Sequence, residues 1–130
     1  MIWDWGYAID SLPALLRGLP VTLLATLLGS LLAFALGLVF ALVRRSRVPV
    51  LSQLVWAFVE FWRSTPLLVQ AILIFFVLPG FGITLSPLTA GVVALGLHYA
   101  CYTSEVYRAG IDAVPRGQWE AAAALHLPRS

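Results

Sequence analysis

The sequence contains no lysine and few charged residues of any kind. Eight arginines and six acidic residues make up 11% of its 130 residues and leave a formal net charge of +2, whereas a soluble domain carries about a quarter charged residues. Apolar side chains make up 61%, and the mean hydropathy is +0.92. The few polar side chains cannot cover the surface of a soluble globular protein of this size. The composition also argues against a disordered chain and against a nucleic-acid-binding domain. The composition predicts an integral membrane protein.

Cysteine and the usual catalytic patterns are also scarce. The single cysteine, Cys101, excludes an internal disulfide framework and a CxxC metal site. His98 lies three residues before it, but two side chains do not make a metal site, and a structural polar contact or simple packing is the favoured interpretation. The sequence has no Ser/His/Asp set, paired carboxylates, phosphate-binding loop or HExxH motif. It therefore predicts no enzyme activity and no bound cofactor.

Long uncharged runs predict the membrane spans. Residues 18–43 carry no charge, and roughly 20 residues suffice to cross the hydrocarbon core. A second uncharged run, 64–104, is too long for one span and is broken by Pro79-Gly80-Phe81-Gly82 and by Ser86-Pro87. We therefore predict an all-α membrane protein with three spans at about 19–43, 65–79 and 88–107. The N-terminal residues lack a basic region, so no cleaved signal peptide is expected.

The arginines predict the orientation of these spans. Arg44, Arg45 and Arg47 follow the first span, and Arg108, Arg116 and Arg129 follow the third. Arginine concentrates on the cytoplasmic side of a membrane. The prediction is a multi-pass protein whose N-terminus and 80–87 turn lie outside, with residues 44–63 and those after about 108 in the cytoplasm.

Two further helical stretches are predicted to lie at the interface. Trp3, Trp5 and Tyr7 stand where an aromatic belt is expected, before the first span. Residues 51–62 form an amphipathic helix along the cytoplasmic surface, and its apolar face contains Leu51, Leu54, Val55, Phe58 and Trp62. After it, Ser64 or Thr65 can cap a new helix with Pro66 in its first turn, which predicts a helix restart rather than a kink.

Small residues recur at every fourth position of the first span. We call this set the small-residue stripe, and its members are Ala25, Gly29, Ala33, Gly37 and Ala41. Such spacing is typical of close helix packing, although alanine and glycine are also simply common in membrane helices. Gly96, Ala100 and Ser104 repeat the pattern on the third span.

An ionisable pair lies at the inner end of the third span. Glu105 and Arg108 are three residues apart. An ionisable residue inside a membrane is a functional hypothesis by default, while a plain intrahelical ion pair is the alternative. The sequence leaves both interpretations open.

A short cytoplasmic helix is predicted at about 117–126. Four alanines, 121–124, follow Glu120, which lies near the positive N-terminal end of the helix. Small side chains on such a helix allow it to enter a groove of another protein. From the residues alone, a docking helix and an idle loop helix both remain possible.

Several sequence blocks resemble one known family. Glu120-Ala121-Ala122 with Leu125 is similar to the EAA motif in permease subunits of bacterial ATP-binding cassette (ABC) importers. The blocks 107–111, 114–119 and 61–70 resemble the polar amino acid branch of that family, and 18–26 is similar to its opening helix. The resemblance implies the N-terminal part of a permease domain in a bacterial inner membrane, which transports a polar amino acid or similar small solute.

The same resemblance implies partners and site residues. In the family, the EAA segment is a coupling helix in a cleft of the ATPase subunit, which supplies the energy. The residues carried over to that contact are Gln118, Glu120, Ala121, Ala122, Leu125 and His126. A pair of ATPase subunits, a second permease and an extracytoplasmic solute-binding protein are the implied partners, with lipid around them and no nucleic acid. Thr65, Gln70 and Glu105 are candidates for the solute pathway.

Two departures from the family accompany this interpretation. His126 stands where the family usually has glycine, and histidine tolerates a positive φ less well than glycine. The sequence also ends at Ser130, within the motif, where the family continues into further spans. The alternative interpretation is a small multispan protein that self-associates through the small-residue stripe; a membrane-embedded enzyme is disfavoured.

Overall fold

The fold is all-α, as predicted. The computed structural model describes residues 4–126, so Trp3 and Arg129 lie outside the described residues. No strand occurs within 4–126. The five α-helices in chain order are α1 (Trp5–Arg44), α2 (Pro49–Arg63), α3 (Leu67–Ile72), α4 (Pro87–Asp112) and α5 (Arg116–Ala124).

The helix α1 is 40 residues long and joins the N-terminal stretch to the first span without a break. Asp4 caps it, because the carboxylate accepts from the backbone N–H groups of Gly6 at 2.8 Å and Tyr7 at 3.3 Å. The helix continues through Pro13 and Pro20. At about 1.5 Å per residue it is roughly twice as long as the hydrocarbon core is thick. Among the described helices, α1 alone is long and apolar enough to cross a membrane by itself.

The chain bends by 104° between α2 and the segment Leu67–Phe81. The predicted helix restart is therefore confirmed, but the predicted cap is wrong. The Ser64 hydroxyl donates back to the Glu60 carbonyl at 2.8 Å, and the Thr65 hydroxyl donates to the Phe61 carbonyl at 2.9 Å. Both hydroxyls thus donate to carbonyls in the last turn of α2, and the Glu60 carbonyl accepts from the Ser64 N–H as well, at 3.0 Å.

The second predicted span is helical but not uniformly α-helical. After α3, residues Leu73–Val77 form a π-helical turn and Leu78–Phe81 a 3₁₀ turn. Gly82 ends the segment with a φ of +84°. The bent pair of α2 and Leu67–Phe81 meets the length and apolarity of a span only when the two parts are counted together.

The helices α1 and α4 lie side by side and run in the same direction. Gly29 faces Leu95, and Gly37 faces Thr103 further along both helices. Because α1 and α4 are parallel, the segment that connects them must return from the end of α1 to the start of α4. The three membrane spans stay a prediction. The helix α4 is capped by the Ser86 hydroxyl, which accepts from the Thr89 N–H at 3.2 Å. Because of its polar residues, α4 is not apolar enough to count as a membrane span on its own.

The small-residue stripe lies in the α1–α4 contact. Gly29, Ala33, Gly37 and Ala41 are buried, and Ala25 is half-buried. A Cβ atom on Gly37 would lie 2.9 Å from the Thr103 Cβ, so the two backbones approach too closely for a side chain. Gly96, Ala100 and Ser104 of α4 are buried as well. The stripe is thus used within the chain, which removes the surface on which the self-association alternative depended.

Candidate functional site

The short helix α5 projects from the end of α4. Residues 113–115 separate the two helices, and among the described residues no other helix packs against α5. Ala122 is half-buried, whereas Gln118, Glu120 and Ala121 are exposed. Leu125 is 73% exposed. Neither Gln118 nor Glu120 forms a side-chain hydrogen bond or ion pair within residues 4–126. The helix therefore presents a partly apolar surface of small side chains that contacts no other described helix.

His126 ends α5 in the left-handed region. Its φ is +55°, and within residues 4–126 it is the one residue other than glycine with a positive φ. The Leu125 N–H donates to the Ala121 carbonyl at 3.0 Å, and the His126 N–H donates to the Ala123 carbonyl at 3.1 Å. Glycine adopts this conformation without steric cost, whereas the Cβ of any other residue contacts the backbone and makes the conformation less favourable. His126 thus adopts a backbone conformation that favours glycine, which is the usual residue at this position in the resembled family.

Charged side chains gather where α4 approaches the ends of α1 and α2. Glu105 pairs with Arg44 of α1, with Arg108 at 3.0 Å and with Arg63 of α2 at 3.7 Å. The Arg44 and Glu105 side chains are only 10% and 23% exposed. The predicted Glu105–Arg108 pair is present, and it is one part of a cluster that joins three helices.

A second carboxylate extends this cluster towards α5. Asp112 pairs with Arg45 of α1 and with Arg108 at 3.4 Å. Both Asp112 and Arg45 are close to half exposed. The last turn of α4 is therefore attached to α1 immediately before the chain enters α5.

Gln70 is buried and fully occupied by contacts within the chain. Its side-chain nitrogen donates to the carbonyls of Trp62 at 2.6 Å and Thr65 at 3.0 Å. Its oxygen faces the Nδ1 of His98 at 3.1 Å. Of the three candidates for the solute pathway, Gln70 and Glu105 use their side chains to join helices, whereas the Thr65 hydroxyl donates within the end of α2. Their role in a solute pathway stays a prediction.

His98 contacts Gln70 rather than Cys101. The imidazole lies at the bend between α2 and α3, while Cys101 is buried in the helix packing. No three His, Cys, Asp or Glu side chains within residues 4–126 are arranged to hold a metal ion. His98 thus forms a structural polar contact.

The sequence analysis did not predict a groove that lies between α1 and α4. It encloses about 420 Å³, and four hydroxyl residues lie along it: Thr26, Ser30, Tyr99 and Thr103. Thr26 donates to the Thr22 carbonyl at 2.8 Å, whereas the other three hydroxyls have no partner within the described chain. The sequence does contain a signal for this groove: Thr26 and Ser30 are four residues apart, and so are Tyr99 and Thr103. The spacing becomes informative once α1 and α4 are known to be parallel neighbours.

Comparison with known proteins gives consistent results. The family described as "Binding-protein-dependent transport system inner membrane component" matches residues 25–130. A probable amino-acid ABC transporter permease of Sinorhizobium fredii is 45% identical, over 97% of this chain and 57% of the relative. An L-cystine transport system permease of Bacillus subtilis is 41% identical over 84% of this chain and 47% of its own length.

One crystal structure shares the fold. It is that of an amino acid ABC transporter with histidines, at a TM-score of 0.88 and 36% identity. The match covers 99% of this chain and 60% of that chain. The chain thus spans between about half and three fifths of the length of these known proteins.

Proposed function

The chain belongs to the binding-protein-dependent transport system inner membrane components, and we propose that it forms the N-terminal part of one permease domain of an ABC importer. The cargo is a polar amino acid or a similar small solute. Named relatives that transport cystine and arginine support this assignment, at 41% and 36% identity. The subunit works with a pair of cytoplasmic ATPase subunits, a second permease and an extracytoplasmic solute-binding protein, with its N-terminus outside.

The observation that carries the proposal is the exposed helix α5. It bears Gln118, Glu120, Ala121 and Ala122, which together with Leu125 directly after the helix resemble the EAA motif, and it contacts no other described helix. Small side chains at 121–124 allow a groove of the ATPase to approach the helix backbone, while Leu125 supplies an exposed apolar anchor. Glu120 lies in the middle of α5 rather than in its first turn, and it adds an exposed carboxylate to this surface. Docking of α5 is the step by which ATP-driven closure reaches the membrane helices.

The test is the retention of the ATPase by variants of α5, in a subunit of the full length of its relatives. Ala122→Trp blocks docking by volume. Leu125→Asp places a carboxylate in a contact that loses water, which costs several kcal/mol, and each 1.4 kcal/mol changes affinity about tenfold. We expect both variants to insert normally but to lose the co-purifying ATPase and solute-stimulated ATP hydrolysis. Glu120→Gln keeps the shape and should weaken both measures partially.

Matched controls separate docking from general damage. Val106→Trp introduces the same large side chain at an exposed position of α4, and Leu125→Met keeps an apolar side chain at the anchor. Both should retain the ATPase. If Ala122→Trp retains the ATPase and its stimulated turnover, α5 is not the docking element and the proposed coupling is wrong.

A further inference from the structure

The bend between α2 and α3 is held by a side chain that donates to two of its backbone carbonyls. We call residues 62–66 the corner. Pro66 has no N–H to donate to the Trp62 carbonyl, as residue 66 of an uninterrupted helix would, and the Thr65 N–H donates to that carbonyl at 3.3 Å. The Gln70 amide nitrogen donates to that carbonyl at 2.6 Å, and also to the Thr65 carbonyl at 3.0 Å. Gln70 therefore fixes the 104° bend from within α3.

The same Gln70 side chain attaches the corner to α4. Because its nitrogen donates to two carbonyls, its oxygen faces the Nδ1 of His98, at 3.1 Å. An amide oxygen only accepts, so the imidazole must carry its hydrogen on Nδ1. This bond is available to the Nδ1–H tautomer of neutral histidine and to the charged form alike. His98 thus acts as a donor from the middle of α4 to a buried amide that is 1% exposed.

Two further residues of α4 hold the other side of the corner. The Tyr102 hydroxyl donates to the Arg63 carbonyl at 3.2 Å, and the Arg63 guanidinium lies over the Tyr102 ring, 5.2 Å from its centre. The next contact is the ion pair of Glu105 with Arg63, at 3.7 Å. His98, Tyr102 and Glu105 are spaced four and three residues apart, so they lie on one face of α4. We call this set of contacts the corner clamp.

The position of the corner clamp decides what it can do. The helix α5 contacts no other described helix, so any displacement of α5 reaches the described bundle through α4. One face of α4 packs on the small-residue stripe of α1, and another carries the corner clamp. Movement of α4 must therefore either carry the corner with it or break the clamp. The π-helical and 3₁₀ turns that follow α3 provide a non-uniform segment in which the change can be absorbed.

We propose that the corner clamp, formed by Gln70, Arg63, His98, Tyr102 and Glu105, makes the broken second span follow the docking helix. These are positioning residues, since they act through the backbone of the corner. The proposal rests on the proposed function and adds to it the connection between α5 and a membrane segment. Without the clamp, α3 is held to α4 by apolar packing alone, such as that of Leu67 and Ala71 against α4, so the corner follows a movement of α4 less closely.

The test measures solute transported per ATP hydrolysed in reconstituted vesicles that contain the complete importer. Gln70→Leu removes the hydrogen bonds of Gln70 to the corner carbonyls and to His98, and Tyr102→Phe removes a single hydroxyl. We expect each variant to keep the ATPase bound and to hydrolyse ATP, while solute per ATP falls by about fivefold for the loss of one hydrogen bond and further for Gln70→Leu. His98→Leu should behave like Gln70→Leu, and His98→Asn, which retains a donor near the Nδ1 position, should restore part of the ratio.

Tyr107→Phe is the matched control, because Tyr107 lies on the same helix and its hydroxyl has no partner within the described chain. It should leave the ratio unchanged. An unchanged ratio in both Gln70→Leu and Tyr102→Phe would overturn the corner clamp alone. A fall in transport and hydrolysis in parallel with the yield of assembled complex would also overturn it, since the contacts would then only hold the fold. Failure of the unsubstituted subunit to retain an ATPase would overturn the proposed function instead, and the clamp's coupling role with it.

Discussion

At the residue scale, the clearest constraint lies where α1 and α4 approach most closely. A side chain on Gly37 would meet the Thr103 Cβ at 2.9 Å and the Ala100 carbonyl oxygen at 3.1 Å. We therefore expect Gly37→Leu to separate the two helices and to destabilise the subunit by about 1–3 kcal/mol, the usual cost of overpacking. Insertion should persist, since the change adds hydrophobicity. Gly18→Leu is the control, because a Cβ there meets nothing within 4 Å. Equal thermal stability of both variants in detergent would contradict the close approach.

His126 provides a second prediction at this scale. Its φ of +55° is a conformation that glycine adopts freely, and a Cβ there costs roughly 1–2 kcal/mol. We expect His126→Gly to stabilise the end of α5 and to tighten the binding of the ATPase by several-fold. His126→Ala removes the imidazole but keeps the strained backbone, so it separates the two effects. If the dissociation constants of the Gly and Ala variants are the same, the backbone conformation does not govern docking.

At the scale of elements, Glu105 joins α1, α2 and α4 through arginines from each. Replacing it with glutamine leaves Arg44, which is 10% exposed, without its carboxylate partner. We expect Glu105→Gln to destabilise the bundle by about 2 kcal/mol, in the range of hydrogen bonds to charged groups. Asp112→Asn should cost less than about 1 kcal/mol, because that pair is close to half exposed. Denaturation midpoints of the two variants in detergent give the comparison, and a larger effect for Asp112→Asn would refute the central position of Glu105.

The elements also show which features a sequence can predict. The prolines and glycines at 79–82 marked the break between spans, and Pro66 marked the helix restart. Proline and glycine are predictive because they change the backbone conformation at their own position. The direction of the Ser64 and Thr65 hydroxyls was predicted wrongly, since a hydroxyl between two helices can serve either end. The contacts of Gln70 with His98 and of Glu105 with Arg44 span 28 and 61 residues. No local spacing encodes such pairings, so they required the packed structure.

For the whole molecule, the parallel packing of α1 and α4 fixes which segments share a side of the membrane. Arg44 and Arg45 at the end of α1 pair with Glu105 and Asp112 near the end of α4. The loop after α1 and the helix α5 must therefore lie on the same side, and the turn at Gly82 follows a segment that returns across the bundle. This relation holds for either absolute orientation. From the position of the arginines, we expect the side that contains α5 to be the cytoplasmic one.

The topology prediction follows from these two statements, and each can fail separately. Reporters fused at Ser46 and at Gln118 should both be cytoplasmic, and a reporter at Gly82 should be outside. Cysteines introduced at Ser46, Gly82 and Gln118 in a Cys101→Ala background repeat the test without a fusion, using an impermeant thiol reagent on intact cells. Opposite sides for Ser46 and Gln118 would contradict the parallel packing of α1 and α4. The same side for both, but external, would preserve that packing and invert the chain; α5 could then meet no cytoplasmic ATPase, and the proposed coupling would be wrong.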